Sequence, residues 1–302
     1  MGATHWVPIR SPREKVHCVA ARMLRSRIEM VVELLPKVLA DVGTNSEDIH
    51  QLRVWSRRSE AAVALCKKLI ARRQRKRLMH RLRSLRRAAG RIRDLDVRIG
   101  RLEERKDSLA KEYLLDQARS ERDSAVPPLL ALGAHLREGR RLSFQLREIC
   151  KRLKRRRKRR ASRKSIRSWV RRRMKPLLAE FARRSDSDCH DLDALHRFRV
   201  AGKRLRYALE LVGRLYKKAD RKRFDARLSD LQSRLGTIND LRTLVALLER
   251  EQQATSKRAL RAQLGRLITQ ERRRLTNACS DFGQYWTKQR ATRFLQRWHE
   301  AL

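Results

Sequence analysis

Leu195-His196-Arg197-Phe198-Arg199-Val200-Ala201-Gly202-Lys203-Arg204-Leu205-Arg206-Tyr207-Ala208-Leu209-Glu210 is the stretch from which the fold follows. Leu205, Ala208, Leu209 and Val212 keep a helical spacing, while His196, Arg199, Lys203 and Arg206 fall along one stripe of the same helix. The helix therefore carries an apolar face for a core and a cationic face beside it. The pattern recurs earlier in the chain, with Ile49-His50-Gln51-Leu52-Arg53-Val54 falling on Leu195 to Val200 and Arg57-Arg58 on Lys203-Arg204. The offset, 146 residues, is the separation of His50 and His196. It aligns two halves without a gap from about residue 20 to about residue 104, so that Gly90-Arg91-Ile92-Arg93-Asp94-Leu95 meets Gly236-Thr237-Ile238-Asn239-Asp240-Leu241.

Two copies of one unit account for the 302 residues. Low Gly and Pro, 11 and 6 residues, and 5% aromatics leave a chain rich in helix formers and disfavour sheets and Gly-rich nucleotide loops. Periodicity predicts helices near 13–40, 46–72, 74–106 and 108–155, the last broken at Pro127-Pro128. The plan repeats near 163–185, 190–217, 220–253 and 256–300. Thr44 to Asp48 and Ser185 to Asp188 supply candidate caps and acidic first turns for the second helix of each copy. The expected fold is all-α: two tandem four-helix bundles, 13–155 and 163–300, related by an approximate internal twofold, after an extension over 1–12.

The charge balance, 78 Lys and Arg against 33 Asp and Glu, leaves +45, about one net positive charge for every seven residues. A 41% hydrophobic content still builds a core, so this is a folded basic protein rather than a basic tail. Cys18, Cys66, Cys150, Cys189 and Cys279 are odd in number and widely spaced, and read as reduced thiols, mostly in the core. No apolar run reaches the length of a membrane span, the first residues lack a signal-peptide stretch, and Trp6 stands where a myristoylation signal needs Ser or Thr. A cytoplasmic protein with no membrane partner is expected.

Like charges at neighbouring helix positions repel, so a stripe of one sign costs free energy unless an anion answers it. His50, Arg53 and Arg57, with Arg58 one step round, form that stripe in the first copy; His196, Arg199, Lys203 and Arg206, with Arg204 beside them, form it in the second. Surface ion pairs can satisfy part of the charge, but the 33 acids leave most cations without a carboxylate. The third helix adds Arg83, Arg86, Arg87 and Arg93, and Arg234 in the second copy. Gly90 and Gly236 mark a helix crossing or kink. Asp94 and Asp240 are read as orienting arginines of the second helix. Neither His50 nor His196 has a metal-ligating residue three or four positions on, so no metal or other cofactor is expected there. The run Lys154 to Arg160 reads as a solvated helix end or linker, with an electrostatic guide for polyanions or a nuclear address as sharper alternatives.

His50-x-x-Arg53-Val54-x-x-Arg57-Arg58, Gly90-x-x-Arg93-Asp94-Leu95 and His196-x-x-Arg199-Val200-x-x-Lys203-Arg204-Leu205-Arg206-Tyr207-Ala208-Leu209-Glu210 together resemble the CHAD family, the conserved histidine alpha-helical domains, over about residues 13–300. The resemblance implies two four-helix bundles around a basic groove or pore, and binding of inorganic polyphosphate, often at polyphosphate granules. Its basic positions carry over to His50, Arg53, Arg57, Arg58, His196, Arg199, Lys203, Arg204 and Arg206. One departure is Glu60, where the family usually has a base, so the first stripe is expected to be shorter or internally paired.

The expected action is non-catalytic polyphosphate binding, with Arg forks and Lys point charges gripping a repetitive anion without demanding one register. An enzyme reading lacks support: the Glu-x-Glu-x-Lys signature of a triphosphate-hydrolysing module is absent, Glu249-Arg250-Glu251 has no Lys to follow, and His190-Asp191 is too common a pair to imply a metal phosphohydrolase. The alternative is nonspecific DNA or RNA binding at low salt, which so basic a chain must show to some degree. Few aromatics are available to stack bases, and Trp55 and Trp169 read as packing residues.

Overall fold

The computed structural model describes residues 6–11, 14–42, 45–159, 165–186 and 188–301. It is all helical among these residues, and divides into two compact units. The N-terminal unit, Val7–Ile166, contains α1 (Val16–Ala40), α2 (Ser46–Leu65), α3 (Arg72–Glu103), α4 (Leu109–Arg137) and α5 (Arg141–Arg159). The C-terminal unit, Arg167–Leu302 with Trp6, contains α6 (Ile166–Ser185, from its second residue), α7 (Leu192–Val212), α8 (Lys218–Ala254), α9 (Arg258–Tyr285) and α10 (Lys288–Glu300). The starts of α7 and α8 lie 146 residues after those of α2 and α3.

The caps explain the starts. Asn45 Oδ1 accepts from the backbone N–H groups of Glu47 and Asp48 at 3.1 and 3.2 Å, and both acids sit in the first turn of α2. In the second copy the cap is Asp191, whose Oδ1 accepts from Asp193 and Ala194 at 2.9 Å each, and not the Ser185–Asp188 segment expected from sequence. A capping side chain reaches only the first turn that follows it, and α7 begins at Leu192. Of the expected cap segments, Thr44 and Ser187 lie outside the described residues.

Pro127-Pro128 does not break its helix: α4 runs through both. The carbonyls that lose a donor belong to Asp123 and Ser124, which are exposed and open to water, while Ala125 and Leu129 on the inner face are buried. The break falls at Glu138–Arg140, a single 3-10 turn in which Arg140 takes φ 49°. In the C-terminal unit the corresponding break is at Trp286–Thr287, where Thr287 Oγ1 caps α10 by accepting from Arg290 N at 3.2 Å. Each expected fourth helix is therefore two helices among the described residues.

In the N-terminal unit α2 packs on α1 and α3, α4 on α3, and α5 on α1. Leu24, Ile28 and Val31 of α1, Leu52 and Val63 of α2, and Leu78, Leu82 and Leu85 of α3 are wholly buried. The C-terminal core is aromatic: Phe224 stacks on Trp298 at 4.3 Å, Phe181 meets Phe198 at 5.1 Å, and Trp298 Nε1 donates to Tyr216 Oη at 3.0 Å. Trp55 and Trp169 are buried packing residues. None of the five cysteines is in a disulfide; Cys66, Cys150 and Cys279 are buried and Cys18 and Cys189 partly so. No helix among the described residues is long and apolar enough to cross a membrane.

Candidate functional site: an arginine cavity between two helices

The connection from α2 to α3 is short, so the two helices lie antiparallel and the stripe of α2 faces the arginines of α3. Arg53 Nη1 donates to Asp94 Oδ1 at 2.6 Å. Farther along, Glu60 accepts from Arg86 Nε at 2.6 Å and lies 3.6 Å from Arg83 Nε. Gly90 sits between these pairs, where a Cβ would lie 3.7 Å from Arg53 Nε, so the arginine's stem lies across the glycine. The result is a cavity of about 440 Å³ entirely within the N-terminal unit. Arg53 and Arg57 line it from α2, and Arg86, Arg87, Arg91 and Arg98 from α3. Against these six guanidinium groups stand the carboxylates of Asp94 and Glu121, a formal surplus of four positive charges. Arg98 Nη1 reaches Glu121 Oε2 at 3.3 Å.

Of the residues expected from sequence in this unit, Arg53, Arg57, Arg86 and Arg87 line the cavity, whereas His50, Arg58, Arg83 and Arg93 do not. Arg58 turns to the side, its guanidinium 4.7 Å from the Trp55 ring, which also carries Arg27 at 5.4 Å. Half-buried His50 is held below its ordinary pKa by burial first and by the Arg93 charge second, with Arg53 and Arg57 adding to the effect and Glu47 opposing it. It is neutral near pH 7 and is not part of the cation surplus. Glu60 is internally paired, as its place in the stripe suggested. Arg91 and Arg98 were missed. They extend the helical spacing that begins at Arg87, a signal available in the sequence had the third helix been tracked as a stripe of its own.

In the C-terminal unit the stripe lies on α7. His196 is exposed, and its Nδ1–H donates to Asn239 Oδ1 at 2.8 Å. Asn239 stands where the first copy has Arg93, so one histidine meets a neutral amide and the other a cation. Arg199 and Lys203 are half-buried, Arg204 is exposed, and Arg206 Nε lies 3.5 Å from Asp225. At the position equivalent to Arg206 the N-terminal unit has Glu60, which takes Arg86 as its partner. Arg234 lies 4.1 Å over the Tyr285 ring, with Arg290 at 4.7 Å from the same ring.

The close approach expected at Gly236 is not there: nothing lies within 4 Å of the position its Cβ would take. It occurs at Gly202, where a Cβ would overlap Gln232 Nε2 of α8. That amide donates to the Arg199 carbonyl at 3.2 Å, tying the two helices beside the stripe. Lys154 and Arg155 are exposed at the end of α5, but Arg160 and the side chains of 156–159 lie outside what the structure describes.

Glu249 is ion-paired with Arg272 at 2.6 Å and Glu251 with Arg250 at 2.8 Å. Among solved structures, the crystal structure of the CHAD domain from the plant Ricinus communis is similar at 20% identity and a TM-score of 0.66, over 98% of this chain and 96% of that one. PptA from Streptomyces chartreusis is similar at 16% identity and a TM-score of 0.63, over 95% of this chain and 100% of that one. At such identities the likeness speaks to fold. A search of curated proteins found no match. The family model of the CHAD domain, however, matches residues 22–249, and with this extent of agreement the chain belongs to the CHAD domain family.

Proposed function

We propose that this protein binds inorganic polyphosphate without changing it covalently. The observation that carries the reading is the α2–α3 cavity, in which six arginines face two carboxylates. Without a ligand, Asp94 and Glu121 satisfy part of the charge through Arg53 and Arg98. A chain of phosphates supplies the remaining anions, and its repeated oxygens match guanidinium forks at many registers. Within the C-terminal unit, the α7 stripe of Arg199, Lys203, Arg204 and Arg206 offers a further run of cations for an anion of this kind. Association with polyphosphate granules in the cytoplasm follows from such binding.

Nucleic acid is the rival anion, but the cavity lining contains no aromatic side chain on which a base could stack. The test is competition at about 150 mM salt, where counterion release no longer dominates so strongly. Defined-length polyphosphate and single-stranded DNA compete for the wild type and for a variant with Arg53, Arg57, Arg199 and Lys203 all changed to Ala. Polyphosphate should win on the wild type, and the variant should lose that preference while remaining helical. Equal displacement by both anions, or an unchanged preference in the variant, overturns the proposal. Steady release of orthophosphate in the presence of a divalent metal, absent from a Lys203 and Arg199 double variant, would overturn its non-catalytic part.

A further inference from the structure

The aromatic rings of this chain are packed away or half-buried, with one exception. Phe144 of α5 is 65% exposed, and it is the one exposed aromatic among the described residues. Burying a phenyl ring would stabilise the fold, yet α5 turns its other side inward. Leu142, Leu146, Ile149 and Leu153 are buried, and the helix packs on α1. Gln145 fixes the rotation of the helix: it is buried, accepts from Arg81 Nη1 at 2.7 Å and donates to the Gln74 carbonyl at 2.9 Å, both on α3. With that neighbour held inward, Phe144, about 100° round the helix, projects into solvent.

The rest of that outer face is cationic. Arg141, Phe144, Arg147, Lys151, Lys154 and Arg155 follow one another at three- and four-residue spacing and form one exposed stripe about 21 Å long. Over its whole length α5 carries a single acid, Glu148, which is partly buried. Among the described residues no carboxylate forms an ion pair with these five cations, whereas Arg53, Arg86 and Arg98 at the cavity each have one. The flank toward α3 is cationic too: Arg81 is held below its ordinary pKa by burial first, and then by the charges of Arg141 and Arg77. A face of one sign with a ring in its midst is costly unless a polyanion covers it.

Phe144 discriminates among the polyanions. Inorganic polyphosphate has no ring or apolar group to meet a phenyl face. A lipid surface takes up an amphipathic helix by its apolar side, which here is buried in the protein, and a single ring is a poor anchor. Single-stranded nucleic acid offers a row of phosphates and also unpaired bases, each with a face that stacks on an aromatic ring. We propose that the outer face of α5 binds single-stranded nucleic acid, with Phe144 stacking a base and Arg141, Arg147, Lys151, Lys154 and Arg155 holding the phosphates on either side of it. Stacking and phosphate contacts read neither base sequence nor sugar, so RNA and DNA strands are both accepted. The cavity lining contains none of these residues, so the face is independent of the polyphosphate reading. It takes in Lys154 and Arg155, the first residues of the basic run that the cavity leaves unused.

The experiment uses the full chain, freed of polyphosphate, with fluorescence anisotropy of labelled dT and rU oligomers of about ten nucleotides at about 150 mM salt. Phe144→Ala should weaken binding of both by about 5- to 100-fold, and Phe144→Trp should restore it. Because the ring is exposed, circular dichroism and affinity for polyphosphate should not change in either variant. An abasic strand of the same length, with the phosphates but no bases, should bind wild type and Phe144→Ala equally. Arg147→Gln with Lys151→Gln should make the slope of log K against log salt shallower by about 1.4 for the dT strand. Arg53→Gln with Arg57→Gln in the cavity should leave the dependence on Phe144 intact. Equal affinity of wild type and Phe144→Ala for the base-bearing strands would overturn the proposal, as would an equal loss for the abasic strand or disappearance of the Phe144 effect in the cavity variant. Loss of binding to phosphatidylglycerol vesicles in Phe144→Ala, with affinity for both strands unchanged, would overturn it in favour of a lipid surface.

Discussion

Arg87→Gln with Arg91→Gln removes two cavity charges from exposed positions on α3 and leaves the core untouched. If the cavity holds polyphosphate, the double variant binds fewer phosphates by about two. For a flexible single-stranded polyanion each neutralised phosphate contributes about 0.7 to the slope of log K against log salt, so the slope should become shallower by about 1.4. At 150 mM salt the same term is worth about 1.2 decades, or roughly 1.6 kcal/mol, before any lost charge-assisted hydrogen bonds are counted. Between 50 and 200 mM salt the gap between wild type and variant should narrow about sevenfold, because the stronger electrostatic binder loses more. Fluorescence anisotropy with end-labelled polyphosphate over a salt series reads all three quantities. Arg266→Gln with Arg273→Gln, which removes two exposed charges of α9 outside the cavity, is the control for net charge alone. Equal changes in slope for the two double variants would refute a localised site, since only total charge would then matter.

Glu60→Gln should strengthen polyphosphate binding about fourfold at 150 mM salt, by releasing Arg86 at the cavity wall, while calorimetric or denaturant stability falls by no more than about 1 kcal/mol because the arginine partners are partly exposed. For His50, whose folded pKa lies below 6.5, the unfolded chain takes up the proton first as pH falls, so its contribution to stability is intact above that value and declines below it. His50→Gln should accordingly flatten the fall in melting temperature between about pH 7 and 5, and an unchanged profile would place the acid sensitivity elsewhere. Gly236→Ala, with open space at its Cβ, should stabilise by about 0.5–1 kcal/mol, whereas Gly133→Ala, whose Cβ would overlap Leu39 Cδ2 of α1, should destabilise by about 1–3 kcal/mol in urea titrations.

What the sequence determined by itself is what a single helix determines. A period of 3.6 residues decides which side chains share a face, so the apolar and cationic stripes of α2 and α7 were legible. The all-helical class and family motifs followed from the same local pattern. Cap chemistry was legible in kind and misplaced by a few residues at Asp191, because several acids crowd that segment and only the first helical residue selects among them.

Tertiary structure decided what the stripes face. Arg58 adjoins Arg57 in sequence but lies against Trp55, about 100° round the helix, while Arg91 and Arg98 enter the cavity because α3 runs antiparallel beside α2. Glu60 could have shortened the stripe or paired within it, and the register of α3 brings Arg86 to it. Pro127-Pro128 carries a strong local signal to break, which is overridden because the freed carbonyls face water and the inner face of α4 is packed. The Cys189 thiol rests against α9 at Gly283, far along the chain, a closeness set by where α9 packs and by the missing side chain of that glycine. Periodicity orders residues around one axis; the meeting of two axes depends on side-chain volume and packing, which no local pattern contains.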